Sequence, residues 1–331
     1  MRSPHMARMI SRWLYGAIAL LAVVLPVPTS AQTPVKVGYL KEPFNINVVK
    51  VADFIDGKKV AIELVPFRQF AEVGRALQAG EIQVAAFGYQ NAGIFLDAGF
   101  TDFTLLAGIS SGGQSITQGK GVALKSWGDL AGKKIGVPPN SFVELRLKAS
   151  LKKAGVNPSQ VTFVSFPGAG PPMLAALKNK DVDAIAVWEP LNAQAQADGF
   201  GDYAALDLRL TETGGVTSLL GARTSWATAQ PAAVREIVAG LVRATDHFNK
   251  DKAAWRTQVI EVTGLKPDVA ELAMGRGSMD YRLMLKEGTA VLRTFAEAGL
   301  LKADHSAAAA KHYDYSHLEA VTGKKRGDLG G

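Results

Sequence analysis

The chain has 331 residues, 47% of them hydrophobic, with 37 Lys and Arg against 30 Asp and Glu, five His and no Cys. That length exceeds one small core and suits two lobes at the usual ~100 to 200 residues per domain, while the lack of Cys excludes disulfides, thiol catalysis and a lipid-modified N-terminus. The net charge of +7 is dispersed, with only Lys324, Lys325 and Arg326 clustered, so nucleic acid is not an expected partner.

Residues 1–31 carry Arg2, Arg8 and Arg12, an apolar run over 14–25, and the small residues Thr29, Ser30 and Ala31. This order predicts a secretory signal peptide cleaved near Ala31, because the run is shorter than the ~20 residues a membrane span needs. Without those three arginines the mature chain carries +4. With no Arg-Arg pair, export of the unfolded chain to a Gram-negative periplasm is expected.

Strand-like and helix-like stretches then alternate, with strands over 35–40, 59–65, 82–87 and 103–109 and helices near 48–55, 69–79 and 91–98. Continuous apolar strands with helices between them predict an α/β fold with a mostly parallel sheet covered on both faces. Gly80 and Gly99 stand where helices must stop.

Residues 129–141, DLAGKKIGVPPNS, join a helix stop at Gly132, a buried strand over 135–137 and a helix start. Pro138 and Pro139 cannot extend the strand, and Ser141 stands three residues before Glu144, the spacing of a capping box. A helix over 142–154, closed by Gly155, is predicted to present its N-terminal N–H groups at the carboxyl end of that strand. Such a place binds anions or polar groups without a charged side chain.

Residues 76–86 (ALQAGEIQVAA) and 176–186 (ALKNKDVDAIA) repeat one helix end, tight turn and buried strand, which suggests two lobes of related build. The Gly- and Ser-rich stretch 108–121 and the polar stretch 210–216 read as two crossovers. They give lobe I over 32–112 and 213–331 and lobe II over 113–212. After a strand over 217–222 the pattern is helical, over 231–248, 252–262, 267–274 and 286–298. This tail is expected to pack on lobe I without site chemistry.

Several motifs carry little. Gly108-Ile109-Ser110-Ser111-Gly112 spells a nucleophile elbow, but a strand-like 114–118 follows where a helix must begin. Gly168-Ala169-Gly170 starts a dinucleotide fingerprint that Pro171 and Pro172 break, and 128–134 lacks the spacing of a P-loop. His305, His312 and His317 fit no usual zinc pattern and read as a solvated C-terminal segment, so no metal or cofactor is expected. Two strand exits say more. Trp188-Glu189-Pro190 ends a buried strand over 182–187, and Phe87-Gly88-Tyr89-Gln90 ends its counterpart in lobe I. Ligands of open α/β sheets lie outside the carboxyl ends of strands, so an aromatic and a polar group from each lobe are expected at one cleft.

These residues carry a family likeness. Val37-Gly38-Tyr39, Gly80-Glu81-Ile82-Gln83-Val84-Ala85, residues 129–138, Trp188-Glu189-Pro190 and Tyr313-Asp314-Tyr315-Ser316 together resemble the periplasmic substrate-binding proteins of the nitrate, sulfonate and taurine class of ABC transporters. That group includes binding proteins for a thiamine pyrimidine precursor. The resemblance implies the two-lobe periplasmic-binding-protein fold (type II), two hinge crossovers and no enzymatic chemistry. It also implies a monomer that traps a small-molecule ligand and hands it to a membrane permease and its ATPase. In lobe I the implied cleft residues are Phe44, Asn45, Gly88, Tyr89, Gln90, Ser110 and Ser111; in lobe II they are Asn140, Ser141, Phe142, Trp188 and Glu189. Residues 41–47 depart from the family's proline-containing turn and longer spacer. The ligand stays open between a small organic anion, such as a sulfonate, taurine or nitrate, and an aromatic or pyrimidine solute. Glu189 facing the cleft would disfavour a bare anion unless the ligand carries an amine. A related pyrimidine synthase needs a cysteine-rich motif that this chain lacks, and a ligand-sensing module is the third reading.

Overall fold

The computed structural model describes residues 34–209 and 213–331, and the expected signal peptide and the start of the second polar stretch lie outside them. The strands among the described residues are β1 (Val35–Leu40), β2 (Ile62–Phe67), β3 (Val84–Gly88), β4 (Thr104–Gly112), β5 (Gln114–Gly119), β6 (Lys134–Val137), β7 (Thr162–Ser165), β8 (Ala184–Trp188), β9 (Gly201–Tyr203), β10 (Val216–Ala222) and β11 (Gly277–Met279). They form two sheets, ordered β11-β4-β10-β3-β1-β2 and β7-β6-β8-β5-β9. The first sheet with its helices is lobe I, the second lobe II. In lobe I β1 runs parallel to β2 and β3, in lobe II β6 runs parallel to β7 and β8, and β10 and β5 join antiparallel. The order β2-β1-β3-β10-β4 of one lobe is therefore the order β7-β6-β8-β5-β9 of the other.

The sequence repeat is this repeat in space. Val84 and Ala85 pair with Val37 and Gly38, as Ala184 and Ile185 pair with Ile135 and Gly136. Both strands are apolar throughout because helices cover both of their faces. The chain passes between the sheets with one residue, Gly113, between β4 and β5. Gly113 has a φ of 73°, and a Cβ there would come within 2.6 Å of the Phe44 ring. Only glycine meets both conditions. The return strand lies beside this crossover, since Gly112 N–H donates to the Gly215 carbonyl at 2.8 Å and Thr217 Oγ1 to the Gly112 carbonyl at 2.7 Å.

Two expectations need correction. The helical tail does not pack on lobe I alone. Val269 and Ala273 of helix Pro267–Met274 are buried with Ala193 of helix Leu191–Ala197 in lobe II, and Phe295 of helix Leu285–Glu297 meets Phe142 edge-on at 5.7 Å. Helical spacing told which face is buried, and nothing in it told against which lobe. Nor is the histidine segment solvated. His305 Nε2 lies 2.7 Å from Asp97, His312 stacks on Phe103 with ring centres 4.0 Å apart, and His317 is buried. A bridge from Tyr313 to Leu105 of β4 draws the segment onto lobe I.

Candidate functional site

At the carboxyl ends of the parallel strands the lobes meet around a narrow cavity. Lobe I contributes Leu40 at the end of β1 with Glu42 and Phe44 after it, Gln69, Phe70 and Ala71 after β2, and Gln90 after β3, with Ser110 of β4 and Thr217 of β10. Lobe II contributes Gln114, Ser141, Phe142 and Trp188, and the crossover glycines 112 and 113 complete the wall. Three helices begin at this wall, Phe70–Ala79, Gln90–Asp97 and Phe142–Lys153. Their first N–H groups have no intrahelical acceptor and carry partial positive charge. Among the described residues that line the cavity there is no Lys, Arg or His, so an anion held here would rely on these helix starts.

Ser141 caps the lobe II helix. It is 5% exposed, and its Oγ accepts the Glu144 N–H at 3.2 Å. The other half of the expected box is displaced by one residue, since Glu144 Oε2 accepts from Asn140 N–H at 2.5 Å and Lys148 Nζ donates to Oε1 at 2.6 Å. Asn140 has a φ of 56°, which turns its N–H toward that first helical turn. On the lobe I side Glu42 is 5% exposed, and Asn45 Nδ2 donates to its Oε1 at 2.7 Å. Burial pushes the Glu42 carboxyl up to about 8. At neutral pH it keeps its proton and offers an O–H in place of a negative charge. Gln69 Oε1 and Gln90 Oε1 are buried without a hydrogen-bond partner, and each is an acceptor that a bound solute would satisfy.

Of the sequence-predicted residues, Phe44, Gln90, Ser110, Ser141, Phe142 and Trp188 line this cavity. The other six do not, each for a local reason. Asn45 is turned onto Glu42, and Asn140 is taken up in the helix turn. Gly88 ends β3 without a side chain, and a Cβ there would fall 2.0 Å from Gln90 Oε1. The Tyr89 hydroxyl accepts the Met284 N–H at 3.2 Å, and Ser111, which alternates with the inward Ser110 along β4, lines a neighbouring pocket with Tyr89 and Met284. Glu189 accepts Ala193 N–H at 3.0 Å and Tyr203 O–H at 2.9 Å inside lobe II, where burial pushes its carboxyl up to about 7. Glu189 therefore does not face this cavity. Sequence reasoning missed Glu42, Gln69, Phe70, Gln114 and Thr217. The strand-to-helix joint at Gln69 and Phe70 is the same signal that marked Ser141 and Phe142, and it could have found them.

Known proteins share this architecture. A binding protein of Brucella abortus strain 2308 is 26% identical over 274 residues, covering 80% of this chain and 82% of that protein. The taurine-binding periplasmic protein of Escherichia coli K12 is 26% identical over 183 residues, 55% of this chain and 54% of its own. Among solved structures, the alkanesulfonate-binding protein SsuA from Xanthomonas axonopodis pv. citri, bound to MOPS, superposes with a TM-score of 0.71 at 23% identity, over 85% of this chain and 99% of that one. The periplasmic nitrate-binding protein NrtA from Synechocystis superposes with a TM-score of 0.72 at 15% identity, over 88% and 89%. Residues 29–264 match the NMT1-like family model, and with more than half its length so matched this chain belongs to the NMT1-like family.

Proposed function

We propose that this protein is the solute-binding component of an ABC importer, which captures a small polar solute between its lobes and delivers it unchanged to a membrane permease. The carrying observation is the cavity, which both lobes wall at their strand exits and beside which the two crossovers run together. Such lobes open and close by rotation about the crossovers, and only a solute that both lobes touch favours the closed form. Relatives named for taurine, alkanesulfonate and nitrate support an anionic head, held by the N–H groups at the starts of the three helices. The rings of Phe44, Phe70, Phe142 and Trp188 support a second reading, an aromatic or pyrimidine-like body. The periplasmic relative supports export through residues 1–31 as a cleaved signal. A thermal-shift screen with sulfonates, nitrate, aromatic carboxylates and pyrimidines tests the proposal, because a ligand at a hundred times its Kd stabilises by about 2.7 kcal/mol. No shift with any class would overturn it.

A further inference from the structure

Arg146 is 1% exposed and heads the fully buried side chains by volume. It makes no ion pair among the described residues; the carboxylate whose field it feels, Asp207, is bound to Arg209. Its guanidinium is forked between neutral acceptors. One arm donates to Gln114 Oε1 at 3.2 Å, the other to the Val216 carbonyl at 2.8 Å, and Cζ lies 4.4 Å from the centre of the Phe142 ring. Gln114 is the first residue of β5, just past the outward crossover, and Val216 is the first of β10, just past the return. One side chain thus joins both crossovers, from the helix whose start lies in the cavity wall.

Packing alone does not call for this arginine, because an apolar residue of similar volume fills such a space without the cost of desolvating a charge. The fork has a chemical consequence for the solute. A guanidinium only donates, so Arg146 fixes which end of the Gln114 amide it meets: Oε1 is held by Arg146, and Nε2 is the end left without a partner at the cavity that Gln114 lines. We propose that Arg146 is a positioning residue of the binding site, holding the two crossovers at one spacing and committing Gln114 to donate to the captured solute. This rests on the solute-binding reading above and narrows it to solutes that present an acceptor to Gln114.

The test uses two flat probes of similar size, benzoate, whose carboxylate only accepts, and benzamidine, whose amidinium only donates. Calorimetry gives the affinity of the full chain for each, in the wild type, Arg146→Met, Gln114→Met and the double variant. Arg146→Met lets Gln114 turn its oxygen to the cavity, and the benzoate-to-benzamidine affinity ratio is expected to fall about tenfold, the weight of one hydrogen bond to a charged group. Gln114→Met is expected to lower the ratio alike, and the double variant no further. Should Arg146→Met not fold, Arg146→Lys, which keeps the charge and cannot fork, is expected to lower the ratio in the same direction. Loss of the Arg146 charge by itself also disfavours an anion against a cation, so the deciding readouts are Arg146→Lys, which keeps the charge, and the double variant, in which a pure charge effect adds to that of Gln114→Met. An unchanged ratio, or additive effects in the double variant, overturns the inference and leaves solute capture standing. Binding of neither probe by the wild type overturns the donor role of Gln114, and solute capture is then judged by the separate thermal-shift screen.

Discussion

The two lobes reach the cavity by the same backbone and present different residues to it. Lobe I leaves β3 through Gly88, Tyr89 and Gln90, lobe II leaves β8 through Trp188, Glu189 and Pro190. Both exits are tied to a crossover by an equivalent bond, Tyr89 N–H to the Thr217 carbonyl at 3.3 Å and Glu189 N–H to the Gly113 carbonyl at 2.8 Å. In both, the tied residue turns into its own lobe, Tyr89 toward Met284 and Glu189 toward Tyr203. The residue that lines the cavity is then the next one in lobe I, Gln90, and the preceding one in lobe II, Trp188. The backbone repeat decides where the cavity lies. The packing of residues 89 and 189 decides which neighbour lines it.

Each lobe also buries a carboxyl whose titration is raised by burial, Glu42 in the cavity wall and Glu189 behind it, and this titration separates the lobes with the largest expected effect. An ordinary glutamate here would titrate near 4.5, whereas burial raises Glu189 to about 7 and Glu42 to about 8. Between those limits the folded chain holds protons that the unfolded chain has released, so unfolding free energy falls as pH rises. The stability is complete below 4.5 and is lost by 7 for Glu189 and by 8 for Glu42, and at about 1.4 kcal/mol per pH unit the total is several kcal/mol. Urea unfolding from pH 5 to 8 measures the slope. Glu189→Gln is expected to flatten it below 7 and to leave the part up to 8, which Glu42→Gln removes. Stability that rises over this range would refute the assignment.

Binding sharpens the contrast between the strand exits. Trp188→Ala removes a ring from the cavity and is expected to weaken the tightest compound of the screen about a hundredfold, on the order of 3 kcal/mol. Glu189→Gln, one position on, should change that affinity less than about twofold, since the residue faces lobe II. Equal losses by calorimetry at 188 and 189 would break the comparison. In lobe I, Gln90→Leu is expected to lose about tenfold, near 1.4 kcal/mol. Tyr89→Phe should leave affinity unchanged and lower stability by about 1 kcal/mol in urea, the value of its bond to Met284 N–H.

The fold was largely legible because its two central strands, β3 and β8, are unbroken apolar runs that carry the repeat, and β1 was read to the residue. β7, β9 and β11, of three or four residues, are too short to show a period. At the candidate site, the strand exits and the helix start at Ser141 pointed to the region where the cavity lies. What could not be read was which side chains turn inward, because the groups they pack against lie far along the chain, as Met284 does for Tyr89 and Ser111. Glu42 was missed because a carboxylate among polar neighbours reads as surface. The segment that carries it is held by contacts far along the chain, where Phe44 packs against Trp255 of the tail with ring centres 5.9 Å apart.

The smallest expected effect tests the repeat at its turns. Gly80 and Lys180 close the two equivalent helices in the same left-handed conformation, at φ of 76° and 66°. A side chain in that region crowds its own backbone, at roughly 1 to 2 kcal/mol, so lobe II carries a strain that lobe I avoids. A residual entropy gain by the unfolded chain offsets part of the relief, and Lys180→Gly is expected to stabilise by about 1 kcal/mol in urea unfolding. The reciprocal change is not symmetric. A Cβ at position 80 would lie 2.6 Å from Arg223 Nη1, whose guanidinium is bound to Asp102. Gly80→Lys should therefore cost more than Lys180→Gly gains, by displacing that ion pair as well as straining the turn. If Lys180→Gly leaves stability unchanged or lowers it, the two turns are equivalent in sequence position alone and not in conformational energy.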